Sequence, residues 1–133
     1  MTSIGSIGGL DHKRATKLRK ARIRTTEALL RRGGDAKGRR ALAKLTGLST
    51  DELLRLAHRA DLMRIKGIGS EYVTLLGAAG VETIRDLRRR NPARLVAAMT
   101  AVNEERRLVR RLPTLRMVTA WVEAAKSLDP LVR

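Results

Sequence analysis

The sequence predicts an all-α protein, and three observations predict it. Apolar residues recur at helical spacing in successive stretches of the chain. Capping residues stand at the heads of several of these stretches, and glycines or prolines punctuate their ends. No stretch alternates apolar and polar residues as a half-buried strand does, and strand-favouring residues are scattered. A length of 133 residues suits one domain, or two very small ones sharing a core.

Residues 1–9 are small and glycine-rich, a short apolar lead-in. From Asp11 the pattern is helical, with Ala15, Leu18 and Ala21 at helical spacing and Lys13, Arg14, Lys17, Arg19 and Lys20 over the other faces. Thr25 caps a second short helix running to Arg32, and Gly33-Gly34 ends it. A third helix spans about residues 36–46, with Gly47 as its stop. Ser49 and Glu52 form a capping box ahead of Leu53, Leu54, Leu56 and Ala57. That fourth helix delivers the chain through Asp61-Leu62-Met63 to a turn at Gly67.

A helix from Ser70 to Ala79 follows, with Gly80 at a left-handed C-terminal position. Thr83 caps a short helix to about Arg90, and Asn91-Pro92 restarts a helix to about Val102. Residues 103–112 are strongly basic and read as partly helical. Pro113-Thr114 opens the last helix, which carries Leu115, Val118, Trp121, Val122 and Ala125 as core positions. From Ser127 onward the chain is expected to fray.

The chain matches itself at an offset of 58 without gaps. Ile7 falls on Ile65, Gly9 on Gly67, Leu10 on Ile68, Thr16 on Thr74, Leu18 on Leu76 and Ala21 on Ala79. Ile23 falls on Val81, Thr25 on Thr83 and Leu29 on Leu87. The expected organisation is one compact domain over residues 1–133, with two repeats packed on extra helices. Repeat one lies at about 7–32, repeat two at about 62–90 and C-terminal helices at about 92–128.

The formal net charge is +16. A surplus of that size costs a compact chain self-repulsion, and a polyanionic partner is the usual reason to tolerate it. Nucleic acid is the expected partner. With 43% apolar residues, the chain is not a disordered basic tail. Having no cysteine, it builds no disulfide, thiol nucleophile or usual zinc finger. No apolar run reaches the roughly 18 residues of a membrane span, and the N-terminus lacks a signal-peptide pattern. No membrane partner is therefore expected, and the expected location is the cytoplasm, in association with the nucleoid. Tyr72 and Trp121 are the only aromatics, too few for a base-stacking platform.

One stretch carries specific chemistry. In Arg64-Ile65-Lys66-Gly67-Ile68-Gly69-Ser70, two glycines flank one apolar residue, and a cation precedes the first glycine. Such a stretch suits a tight turn between helices, with Ile68 pointing inward. The N–H groups about Gly67, Gly69 and Ser70 would then face outward at a helix start, a ready anion site. The candidate nucleic-acid contacts are Lys66, Gly67, Ile68, Gly69, Ser70 and Arg64, with Lys13, Arg14, Lys17, Arg88 and Arg89 extending the footprint. Residues 106, 107, 110 and 111, all arginine, form a further basic group. In the first copy Asp11 replaces Gly69 and Arg22 replaces Gly80. Asp11 would cap its helix and repel a phosphate, so the first turn is expected to keep the fold and lose the grip.

Residues 65–73, with Leu76, Ala79, Gly80 and Val81, resemble the helix-hairpin-helix superfamily. The tandem pattern resembles a bacterial family of tandem helix-hairpin-helix proteins labelled only as a domain of unknown function. The first copy, through Leu18, Ile23-Arg24-Thr25 and Leu29-Leu30, is also similar to the C-terminal domain of the bacterial RNA polymerase alpha subunit. The superfamily resemblance implies sequence-independent binding to the DNA backbone, by hairpin N–H groups and a neighbouring cation. With one intact hairpin, the second strand would fall to side chains of the first basic helix.

Trp121 reads as a core residue. His12 and His58 lie near basic residues with no matching ligand set, so no metal is expected and both read as surface residues. Glycosylases of the superfamily need a catalytic aspartate downstream of the hairpin. Here the nearest downstream carboxylate, Asp86, lies in a short helix beside Arg85 and Arg88. The expectation is therefore a binding protein, not an enzyme, with no cofactor. DNA is favoured as its partner. An RNA- or ribosome-associated protein and a protein–protein adaptor are the alternatives.

Overall fold

Among the described residues, seven of eight α-helices begin at a side chain that accepts a backbone N–H of its own first turn. The computed structural model describes residues 2–133, so Met1 of the expected lead-in lies outside the described residues. The helices are α1 (His12–Lys20), α2 (Thr26–Gly33), α3 (Ala36–Thr46), α4 (Thr50–Leu62), α5 (Ser70–Ala78), α6 (Ile84–Arg88), α7 (Pro92–Arg106) and α8 (Leu115–Ser127). Asp11, Thr25, Asp35, Ser49, Thr83, Asn91 and Thr114 cap all of them except α5. Ser49 and Glu52 close a capping box, as do Thr83 and Asp86. A 3-10 turn at Ile4–Ser6 precedes them, and an isolated bridge joins Ser3 to Thr25. The fold is all-α, as the sequence predicts.

The duplication is visible in backbone detail. α1 and α5 both run nine residues and start 58 positions apart. Gly9 and Gly67, one in each leading turn, have φ of +85° and +94°. Both helices close in the same way. The N–H of Ile23 reaches Leu18 O at 2.9 Å, and that of Val81 reaches Leu76 O at 2.8 Å. The residue between helix and return is left-handed in each copy, Arg22 at +65° and Gly80 at +94°. Arg32 donates to Ala21 O, and Arg90, 58 positions on, donates to Ala79 O.

The structural repeat is longer than the sequence match. α2 packs on α4 as α6 packs on α8, α3 on α4 as α7 on α8, and α1 on α3 as α5 on α7. α4 and α8 are both thirteen residues long. Each half is thus a set of four helices, and α3 and α4 belong to the first half instead of serving as additions between repeats. The buried apolar residues divide accordingly. Ile4, Leu18, Ile23, Leu29, Leu42 and Leu53 belong to one core. Leu62, Ile65, Leu76, Leu87, Val118 and Trp121 belong to the other. Met63, at the end of α4, packs against both.

The segment after α8 corrects one expectation. It docks instead of fraying. Val132 is buried in the first core. The N–H of Arg133 donates to Gly34 O at 2.6 Å, and Arg39 donates to Arg133 O. Asp61, only 1% exposed, accepts the N–H of Leu131. Buried polar groups on α3 and α4 need partners, and this segment supplies them. α7 also extends past Val102 to Arg106, where Arg107 stops it in a left-handed conformation at φ +49°.

Candidate nucleic-acid interface

Between α4 and α5 the chain turns through residues 63–69. Ile65 and Ile68 are buried and anchor the turn from within. Gly67 needs its positive φ, and a Cβ there would lie 3.0 Å from Trp121 Nε1. Lys66, Gly67, Gly69 and Ser70 are exposed. Gly69 is the N-cap of α5, the one α-helix among the described residues whose N-terminus receives no side-chain cap. A Cβ at Gly69 would meet nothing within 4 Å. The first-turn N–H groups of α5 are therefore left to an outside acceptor. Glu71, exposed in the same turn, sets a negative charge beside them.

Ile68 does not fit its expected role as a contact. Its side chain is in the core, and its N–H is given to Ile65 O at 3.1 Å. It shapes the site and cannot touch a ligand.

The first turn is closed by its own side chains. Asp11 accepts the N–H of Arg14 at 2.8 Å. That bond, with the Arg14 charge nearby, holds the Asp11 carboxyl below its ordinary range. Arg14 donates to Gly9 O at 2.8 Å and pairs with Glu52 on α4 at 3.3 Å. Arg59, half-buried on α4, donates to Gly8 O. Gly8 itself is buried against α5. A Cβ there would fall 2.1 Å from Thr74 Oγ1 and 2.3 Å from Ser70 O. Lys66, the counterpart of Gly8, could not be accommodated in the first copy. The two turns thus lie together, one sealed and one open.

Three expected DNA contacts are spent inside the molecule. Arg14 holds the first turn as described. Arg64 donates to Asp61 at 2.7 Å and to Asp129 O at 3.0 Å. Arg88 donates to Ala125 O and Leu128 O at the end of α8, at 3.1 and 2.8 Å. With Arg32, Arg39, Arg59 and Arg90, seven arginines among the described residues are bonded to internal acceptors. Their planar forks satisfy carbonyls that helix ends and turns leave bare. The net charge therefore overstates the number of cations without an internal bond.

The other cations remain available. Lys13 is exposed and Lys17 half-exposed on α1, and neither joins an ion pair among the described residues. Arg89 is exposed at the C-cap of α6, lining a cleft with His58, Arg85, Asp86 and Pro130. Arg88 and Arg89 thus serve different surroundings despite being adjacent. His58 is only partly at the surface, where the sequence predicts it to lie fully. It is half-buried, and burial lowers its pKa below the ordinary 6.5. No group of side chains among the described residues could hold a metal ion.

One link was not anticipated from the sequence. Tyr72, in the first turn of α5, donates its hydroxyl to Arg111 O at 3.0 Å. Its ring is tilted against Trp121 with centroids 5.3 Å apart. This ties the basic segment between α7 and α8 to the start of α5. The only sequence signal is the paired pattern of residues 106–113, Arg-Arg-Leu-Val-Arg-Arg-Leu-Pro, which gives alternating outward and inward pairs but no location.

A family model described as a domain of unknown function (DUF4332) matches residues 8–128. No curated protein and no solved structure matches the chain. Among the described residues, no helix is long and apolar enough to cross a membrane.

Proposed function

We propose that this chain, which belongs to the DUF4332 family of unknown function, binds the backbone of duplex DNA with little sequence preference. The observation that carries the reading is the open N-terminus of α5, the single uncapped α-helix start among the described residues, set beside exposed Lys66. Bare N–H groups and the positive end of the helix dipole favour a phosphate oxygen. Lys66 adds a point charge, and Lys13, exposed on α1, and half-exposed Lys17 are further cations free to meet a phosphate. Contacts of this kind touch phosphates only, so they position the protein without reading bases. The turn resembles a helix-hairpin-helix, and that likeness supports the same reading.

A binding role fits the carboxylates better than catalysis does. Asp86 is engaged in the cap of α6, Asp61 in its bonds to Arg64 and Leu131, and Glu52 in the cap of α4. Asp61 and Asp86 line the cleft that holds His58 and Arg89, but each carboxylate is already bonded to donors of the fold, which a general acid or base would need to give up.

Gly69→Asp tests the site, because it gives the second turn the side chain of the first. Mobility-shift titration with a labelled duplex should show binding weakened about tenfold, equivalent to ~1.4 kcal/mol. Unchanged affinity would sink the phosphate-grip reading. Competition with structured RNA at equal salt separates DNA from RNA binding.

A further inference from the structure

We propose that the α7–α8 loop is a second phosphate-binding element of the same interface; this rests on the reading of the α5 start as a DNA-backbone site. Arg106, Arg107, Arg110 and Arg111 are all exposed. None joins an ion pair among the described residues, where the pairs involve Arg14, Arg64 and Lys126. Glu104 and Glu105 are exposed on the last turn of α7 and offset two of the four charges without bonding to them. A cation at a helix C-terminus has a local use, since it complements the dipole. That accounts for Arg106 and leaves Arg110 and Arg111 without an internal role.

The loop is held in shape before any ligand arrives. The N–H of Arg107 donates to Asn103 O at 2.9 Å. The Asn103 amide bonds Val109 twice, donating to its carbonyl at 3.1 Å and accepting its N–H at 3.0 Å. Val109 and Pro113 are buried and Leu108 and Leu112 half-buried, so the arginine pairs on either side of Val109 face outward. Tyr72 then fixes Arg111 to the first turn of α5. A backbone ordered in advance loses less entropy when its side chains engage a ligand.

Arginine forks suit phosphate oxygens, which they can meet with two parallel donors. An acidic protein surface is the less suitable occupant. Protein interfaces centre on a desolvated cluster of aromatic or apolar anchors. Beside this loop the one large exposed apolar side chain is Leu115, with Thr114 and Arg116 around it also exposed. Because Tyr72 joins the loop to α5, a duplex seated on the α5 N-terminus meets the arginines on nearby phosphates.

The test is a salt series of duplex affinity for the wild-type chain, Gly69→Asp, Arg110→Ala/Arg111→Ala and Tyr72→Phe, with circular dichroism to confirm folding. Each phosphate contact contributes about −0.9 to the log–log slope on duplex DNA. The arginine pair variant should lose about one to two units of slope and bind roughly tenfold more weakly at low salt. Tyr72→Phe keeps every charge and releases the loop, and should bind about two- to threefold more weakly. A wild-type slope and affinity in the arginine variant, with Gly69→Asp weakened, overturns the loop and leaves the α5 site standing. If the wild-type chain fails to bind duplex, or structured RNA displaces it, both proposals fall.

Discussion

The buried carboxylate of Asp61 accepts the backbone N–H of Leu131 at 3.0 Å, across seventy residues of chain. Its other oxygen receives Arg64. One aspartate at the end of α4 thereby holds both the turn that leads into α5 and the segment that follows α8.

Asp61→Ala should be costly. Breaking a buried pair typically costs about 3–5 kcal/mol. The Arg64 side chain is 28% exposed and can recruit water, which places the loss near the lower end, at roughly 3 kcal/mol. The urea midpoint should fall, and hydrogen exchange at the Leu131 amide should lose its protection. Retained protection at that amide would show that the segment is held by Val132 and Arg39 alone.

Gly69→Asp should separate stability from binding. The backbone at Gly69, φ −101° and ψ −165°, is one that aspartate adopts, and the space around its Cβ is empty. A capping carboxylate and the loss of glycine's freedom should stabilise the fold by about 0.5–1 kcal/mol. Thermal unfolding should therefore shift upward in the same variant that, under the proposed phosphate grip, is expected to bind DNA more weakly. A drop in melting temperature would mean that the turn depends on glycine for packing.

Arg22→Gly copies the second repeat into the first. Arg22 holds φ +65°, where a side chain costs roughly 1–2 kcal/mol, and its counterpart Gly80 carries no such cost. Set against glycine's greater freedom in the unfolded chain, a net gain of about 0.5–1 kcal/mol is expected. Chemical denaturation of the two proteins measures it directly.

Acid should weaken the fold in two stages. His58 titrates below 6.5, chiefly because burial disfavours its charged form. Arg39 acts in the same direction, and Asp61, Asp86 and Glu82 oppose it. The unfolded chain thus binds this proton first, and stability falls as pH drops below about 6.5 through the folded value. Asp11, Glu27 and Glu52 also titrate below their ordinary values, with backbone hydrogen bonds as the largest cause. Their stabilisation is lost at lower pH, below about 4.5. Urea midpoints across this range should show both stages, and His58→Gln should remove the first.

Helix starts were legible because caps act locally. Thr25, Ser49, Thr83, Asn91 and Thr114 each bond a donor three residues away. The turn at Gly67 was legible from its two glycines and buried isoleucines. The reach of the repeat was not. α3 and α7 share position and packing without the register match that marks α1 and α5, because a core accepts many apolar arrangements of similar volume. The basic surface was hardest to read. Arg14, Arg64 and Arg88 look no different in sequence from Lys13, Lys17 or Arg110, and only their neighbours distinguish them.

By itself the sequence determined an all-helical chain, its capped helix starts, a duplicated unit and one turn able to present bare N–H groups. These follow from interactions spanning a few residues. The tertiary structure decided which cations are free and which are spent, that the first turn is sealed against α5, and that the last segment docks. Those outcomes rest on Arg14 meeting Glu52, Tyr72 meeting Arg111, Arg88 meeting Leu128 and Asp61 meeting Leu131. Each contact joins residues 38 to 70 positions apart, a distance that packing closes and local propensity does not encode.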